Sequence, residues 1–186
     1  MIEVVVTMAI LAILVTAAAP SLGDWMTRTR VRSAAESVQN GLNQARMEAV
    51  RRNRAVGFHL VSSLGNDCRL SRSGPAWVVS ATSPAGKCGE DPNWDEAPQL
   101  LGKGEAASGS LALEGALADA DTGATSVTFN GFGMLQQAAA ASALQRINVS
   151  AGDDHELLVE VSTGGAARVC DPDPALSSSD PRACQL

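Results

Sequence analysis

The chain has 186 residues, and its formal net charge of −6 at pH 7, with a sequence pI of about 4.8, speaks against a general nucleic-acid binder. The charge is uneven: residues 1–72 hold nine arginines against five acidic residues, whereas residues 73–186 hold five basic against fifteen acidic residues. The part after residue 55 is long enough for one globular core, so we expect a single domain preceded by a stalk.

The N-terminal segment is apolar. Between Val4 and Leu22 there is no charged residue, and a helix of that length spans roughly 28 Å, close to the hydrocarbon thickness of a bilayer. We therefore predict a transmembrane helix over residues 1–23. Glu3 stands at its head, where a carboxylate is costly unless it is paired, and Pro20 predicts a kink near residues 16–20.

Basic residues follow the apolar segment, at Arg28, Arg30 and Arg32, and none precedes it. A secretory signal peptide has the opposite order. The positive-inside rule would keep the C-terminal domain of such a chain in the cytoplasm, which four cysteines argue against. We therefore expect basic residues upstream of Met1.

Residues 24–54 are predicted to continue the helix in amphipathic form, so that Glu3 to Arg52 would measure about 75 Å. Apolar residues recur at steps of three and four. The predicted buried face comprises Trp25, Val31, Ala34, Ala35, Val38, Leu42, Ala45 and Ala49. The predicted solvated stripe, for which contact with a partner subunit, a lipid headgroup or DNA is the alternative, comprises Arg28, Arg32, Glu36, Gln39, Asn43, Arg46 and Arg51.

Residues 55–186 show short apolar runs separated by glycine and asparagine turns, which predicts seven to nine short strands in antiparallel hairpins. The stretches from Ser83 to Ser108 and from Gln136 to Ala143 are expected to be irregular. The predicted strands are Ala55–Ser62, Cys68–Ser71, Trp77–Ala81, Ser110–Leu113, Ser126–Phe129, Gly133–Leu135, Arg146–Ser150, Leu157–Ser162 and Ala167–Cys170.

The four cysteines form no Cys-x-x-Cys pair, and neither histidine lies near them in sequence, so disulfides are favoured over a metal site. Three connectivities are open. We favour Cys68–Cys88, which closes a loop around one strand, and Cys170–Cys184, which fixes a proline-rich tail.

No catalytic motif is present: the sequence lacks a phosphate-binding glycine loop, His-Glu-x-x-His and Gly-x-Ser-x-Gly. His155 lies among acidic residues before a strand, a position typical of the surface. We therefore expect no enzyme, no cofactor and no metal.

The N-terminal segment resembles the helix of type IV pilins and type II secretion pseudopilins. Ile2 and Glu3 match the family's Ile-Glu pair, and Pro20 lies 17 residues after Glu3, as in the family. The resemblance implies an α+β, pilin-like fold, in which a long helix, first transmembrane and then amphipathic, packs on an antiparallel β-sheet domain. It also implies that Glu3 pairs with the N-terminal amine of a neighbouring subunit.

Two further signatures resemble the GspH/FimT branch, which includes FimU-like minor pilins. They are Phe129-x-x-x-Gly133, and a Gly-Gly-x-x-Arg-x-Cys stretch ending at Cys170. This implies a structural minor pilin that primes type IV pilus assembly near the filament tip, or a GspH-like pseudopilin of a type II secretion system. The implied partners are other major and minor pilins, a prepilin leader peptidase and the inner-membrane assembly platform. The chain would cross the bacterial inner membrane once, with a periplasmic C-terminal domain, before joining a filament.

Some FimT-like pilins bind DNA for natural transformation through Gly-Arg-x-Arg. The corresponding stretch here is Gly165-Ala166-Ala167-Arg168, which keeps only the second arginine. A DNA-binding subunit is therefore a third hypothesis, with Arg168, Arg146 and Arg182 as contacts.

Overall fold

The protein consists of one long helix followed by antiparallel strands. The computed structural model describes residues 2–106, 111–117, 123–136, 143–152, 155–177 and 179–184, without the side chains of residues 14–22. Eight strands fall within these ranges, as the sequence predicted. The elements are α1 (Ile2–Arg52), β1 (Val56–Val61), β2 (Ala76–Ser80), β3 (Leu100–Glu105), β4 (Ala112–Ala116), β5 (Ser126–Phe129), β6 (Arg146–Ser150), β7 (Glu156–Val161) and β8 (Ala167–Cys170).

The helix α1 matches the prediction from Glu3 to Arg52 within one residue. It continues through Pro20, whose side chain lies outside the described set, and the kink expected there stays a prediction. Among the described residues, no helix has both the length and the apolar character needed to cross a membrane.

One face of α1 is buried by the β domain from Val31 onward. The predicted apolar face is confirmed except at its first member: Trp25 is 64% exposed. It lies nearly two turns before Val31, where the helix has not yet reached the β domain. Gly41 lets the helix approach closely, since a Cβ there would lie 2.9 Å from the rings of Phe58 and Trp77.

The strands form two four-stranded antiparallel sheets. The first has the order β3-β2-β1-β5 and the second β4-β6-β7-β8. Both contribute apolar side chains to a single core against α1, including the stacked rings of Phe58 and Trp77, whose centroids are 5.8 Å apart. The helix therefore contacts strands of both sheets and connects them.

Three strand predictions were wrong. Leu100–Glu105 is strand β3, although it lies inside the stretch expected to be irregular. Cys68–Ser71 and Gly133–Leu135 form only single bridges, Val61 with Leu70 and Phe129 with Leu135. The second run stops pairing because Asn130 Oδ1 accepts hydrogen bonds from the backbone N–H groups of Phe132 and Met134, at 2.9 and 3.2 Å, and holds a tight turn. The irregular segment expected at Gln136–Ala143 lies mostly outside the described residues.

The two disulfides have the favoured pairing. Cys68–Cys88 joins Cα atoms 6.1 Å apart, and Cys170–Cys184 joins Cα atoms 5.1 Å apart. The first bridge lies in a small second core on the outer face of the first sheet. That core also contains Val61, Ala76, Val78 and Leu100.

His59 on β1 is buried, and neither of its ring nitrogens has a hydrogen-bond partner among the described residues. Burial lowers its pKa to about 4 from 6.5. Between these values the unfolded chain binds a proton that the folded protein does not. Stability is therefore lost as the pH falls from 6.5 toward 4, by about 3 kcal/mol in total.

The variant His59→Phe should lack this contribution. Urea unfolding of both proteins in detergent at pH 7 and pH 4.5 measures it, and all other titrating groups are common to the two chains. The wild-type free energy of unfolding should fall more than that of His59→Phe. Equal losses in the two proteins would contradict the assignment to His59.

Candidate assembly surfaces

The N-terminal part of α1 is free of the β domain. Glu3 lies in its first turn and is exposed, as are the apolar side chains that follow it as far as Ile13. Exposure exceeds 50% for each of the large ones: Ile2, Val4, Val5, Val6, Met8, Ile10, Leu11 and Ile13. So large an uncovered apolar surface indicates that this segment binds an apolar partner or lies in an apolar solvent.

At the other end of α1, the two signature turns contact each other. Gly133 and Gly165 both have positive φ, at 75° and 80°, which favours glycine. A Cβ on Gly165 would overlap the carbonyl oxygen of Gly133. The Phe-x-x-x-Gly and Gly-Gly motifs are therefore two sides of one close backbone contact between the first and second sheets.

Arg46, on helix α1, stabilises this contact by hydrogen bonds to both turns. Its Nε donates to the carbonyl oxygen of Gly133 at 3.0 Å, and its Nη2 donates to that of Gly164 at 3.4 Å. Gln39 likewise donates to the carbonyl oxygen of Ala167 at 3.1 Å. The prediction that Arg46 and Gln39 belong to a solvated stripe was wrong, because both side chains bind backbone oxygens of the β domain.

An apolar surface, here named the junction patch, borders the same contact. It comprises the exposed side chains of Met47, Val50, Phe132 and Met134, of which Phe132 is 82% exposed. Val50 lies against Gly133, its Cγ2 3.0 Å from the position of a Cβ on that glycine. Among the described residues after Met26, only one other large apolar side chain, Leu70, is exposed, and only to 36%.

Arg168, a predicted DNA contact, pairs with Glu160 on the neighbouring strand. Its Nε and Nη2 donate to Glu160 Oε2 at 3.1 and 2.8 Å, and the Glu160 side chain is only 2% exposed. Nη2 also donates to the carbonyl oxygen of Ala183, in the tail tied by Cys170–Cys184. Arg168 therefore neutralises a buried carboxylate and holds the C-terminal tail.

The other two predicted DNA contacts also face carboxylates. Arg146 lies directly opposite Glu160 across the β6–β7 ladder, and it lines a groove of about 500 Å³. Arg182 pairs with Asp180 at 2.9 Å, and this hydrogen bond lowers the pKa of Asp180. A phosphate would compete with Glu160 for Arg168 and with Asp180 for Arg182, whereas the buried Nε of Arg146 has no hydrogen-bond partner in the part of the chain that the structure describes. DNA binding stays a prediction.

One cluster has the composition of a metal site. The carboxylate of Glu160 and the sulfurs of Cys170 and Cys184 lie within 4.8 Å of one another. Both sulfurs belong to the disulfide, so neither offers a thiolate.

The model of a protein family described as type II transport protein GspH matches residues 34–165, more than two thirds of the chain. The fold is similar to two crystal structures of the type IV minor pilin FimU from Pseudomonas aeruginosa strain PAO1, in space groups P65 and P21. The TM-scores are 0.51 and 0.53, each at 17% identity, covering 75% and 79% of this chain and 92% of FimU in each case. Among curated proteins there is no significant match.

The matched segment begins inside the buried part of α1 and ends at Gly165, so it includes both turns that Arg46 joins. The chain belongs to the GspH family.

Proposed function

We propose that the protein is a minor pilin that takes part in the priming step of type IV pilus assembly. The observation that carries the proposal is the exposed apolar helix: the β domain completes its own core from Val31 onward and leaves the side chains of residues 2–13 uncovered. Residues 1–23 would anchor the subunit in the inner membrane, with residues 55–186 in the periplasm. The same helix would then pack among other helices in a filament, near its tip.

Glu3 would act at the change from membrane to filament. In a bundle of apolar helices, its carboxylate would pair with the N-terminal amine of a neighbouring pilin, since an unpaired buried charge is strongly destabilising. The leader peptidase would process the subunit, and the inner-membrane platform would lift it into the filament.

The junction patch is the second surface that supports the proposed role in assembly, because exposed apolar patches on small domains commonly mark protein contacts. Within the proposed filament it would contact a neighbouring pilin. The double variant Phe132→Ser with Met134→Ser should therefore lower the subunit content of sheared filaments by about tenfold, the effect of losing one well-packed aromatic anchor. Immunoblotting of filament and membrane fractions measures this.

The matched control is Leu70→Ser, which removes the remaining exposed apolar side chain described in the β domain, away from the junction patch. It should be incorporated like the wild type. Equal incorporation of all three proteins would remove the junction patch from the assembly contacts.

The description of the matching family favours one further candidate, a minor pseudopilin of a type II secretion system. The two can be separated in the bacterium that produces the protein. Deletion of the gene should abolish surface filaments and leave protein secretion intact if the subunit belongs to a pilus. Loss of secretion with normal filaments would favour the pseudopilin.

A further inference from the structure

Trp25, Arg28 and Arg32 form an exposed group on α1 just beyond the apolar segment. Steps of three and four residues place the three on one face of the helix. We propose that this group binds anionic phospholipid headgroups and holds the β domain against the bilayer surface. The inference rests on the proposed membrane anchoring of residues 1–23.

The distances along the helix fit this role. Trp25 lies three residues after Leu22, or about 4.5 Å, and Arg28 lies about 9 Å after it. The headgroup layer extends roughly 5–7 Å beyond the hydrocarbon. Because side chains on a helix tilt toward its N-terminus, Arg28 extends back toward the headgroups. Arg32, about 15 Å after Leu22, lies beyond the headgroup layer but within roughly one Debye length of it, so it still interacts with the charge of an anionic surface. Tryptophan is enriched at this level of the membrane, where its ring is apolar and its N–H is hydrated.

The charges also favour anionic lipid. From residue 24 to residue 32 there are three arginines and one acidic residue, Asp24, which gives 3 − 1 = +2. Arg28 has no salt-bridge partner among the described residues. Arg32 pairs with Glu36 at 3.0 Å, but both side chains are more than half exposed, and such pairs exchange readily for another anion.

Acidic side chains of the β domain lie next to these arginines and would oppose binding to an anionic bilayer. Arg28 and Arg32 line one side of a groove of about 600 Å³, and Glu156, Asp171 and Asp173 line the rest of it with His155 and two prolines. An anionic bilayer would repel those three carboxylates. The arginines lie between them and the apolar segment, where they offset the repulsion.

Arginines on this side of the membrane run against the usual bias, which places basic residues on the cytoplasmic side. In the proposed orientation all three arginines between residues 24 and 32 face the periplasm. Anchoring alone does not account for them, whereas contact with the lipid phosphates of the periplasmic leaflet would.

The test uses the full chain reconstituted into phosphatidylcholine vesicles, with or without about 30% phosphatidylglycerol. Some of the lipids are brominated near the headgroup and quench nearby tryptophans. The signal of Trp25 is isolated by subtracting that of Trp25→Phe, which retains Trp77 and Trp94. Quenching of Trp25 should rise roughly twofold with phosphatidylglycerol and return to the neutral-lipid value in about 0.5 M salt.

The variant with Arg28→Gln and Arg32→Gln should show no response to phosphatidylglycerol. The control Arg69→Gln, an exposed arginine of the β domain, should respond like the wild type. Equal quenching of Trp25 in both vesicle types would overturn the lipid proposal and assign the group to another partner, such as a neighbouring subunit. If the chain did not float with either vesicle type, the membrane anchoring itself would be wrong.

Discussion

Arg168→Ala should lower the free energy of unfolding by about 3 kcal/mol, the low end of the range for breaking a buried ion pair. The carboxylate of Glu160 would lose two hydrogen bonds in a site with almost no access to water, and the tail would lose its bond at Ala183. Arg168 is itself partly exposed, which limits the loss. Denaturant unfolding of the full chain in detergent measures the change.

Arg182→Ala is the matched control, because it removes an arginine from an exposed pair close by. It should leave the free energy of unfolding close to the wild-type value. In the Arg168→Ala background, Glu160→Gln should recover part of the loss, because a neutral amide replaces the carboxylate that has lost its pairing with Arg168. A loss in Arg168→Ala no larger than that in Arg182→Ala would show that Glu160 does not depend on this arginine.

The same variants test the DNA hypothesis. If Arg168 acts through Glu160 and the tail, wild type and Arg168→Ala should retain labelled DNA equally in a gel shift at low salt. A protein that bound DNA through Arg168 would instead lose affinity in this variant, and its salt dependence would become shallower. Running the shift on Arg69→Gln as well separates a local contact from bulk charge, because Arg69 is exposed and is not among the predicted DNA contacts.

Glu3→Ala should insert into the membrane like the wild type and yet be nearly absent from filaments. Alanine removes a charge from the head of an apolar helix, which favours the bilayer. It also leaves the N-terminal amine of the neighbouring subunit without its partner inside the bundle. The expected cost to the free energy of assembly is several kcal/mol. Subunit content of the inner membrane and of sheared filaments, measured by immunoblotting, gives the two quantities separately.

Glu36→Ala provides the comparison, since Glu36 is an exposed acid on the same helix that pairs with Arg32. Its incorporation should match the wild type. If Glu3→Ala reached filaments at the wild-type level, the N-terminal helix would be an anchor alone.

Periodicity in the sequence was enough to predict the helix and most of the strands, but strand β3 escaped it. This strand contains Gly102 and Gly104, residues that lower the strand propensity of a segment. Packing requires Gly104, because a Cβ there would meet the ring of Trp77; a Cβ on Gly102 would displace the amide end of the Gln44 side chain. The side chains next to these glycines belong to other elements, so the local sequence of strand β3 does not predict the strand.

The disulfide pairing was predictable because each bridge closes a short loop. The role of Arg46 was not, because its partners are backbone oxygens 87 and 118 residues away along the chain. An arginine on the polar side of an amphipathic helix gives no sign of such contacts. Arg168 was predicted as a DNA contact, which stays a prediction, and its pairing with Glu160 on strand β7 was not predicted.

The point at which α1 joins the β domain has a mechanical consequence. From Val31 to Arg52 the helix is fixed to both sheets, so it cannot slide or turn without moving the whole domain. Residues 2–30 form a projecting rod of about 43 Å, longer than a bilayer core is thick. A force applied to the rod would therefore reach the globular domain as a rigid displacement. The subunit could be pulled from one environment to another by its helix without any part of its core having to open.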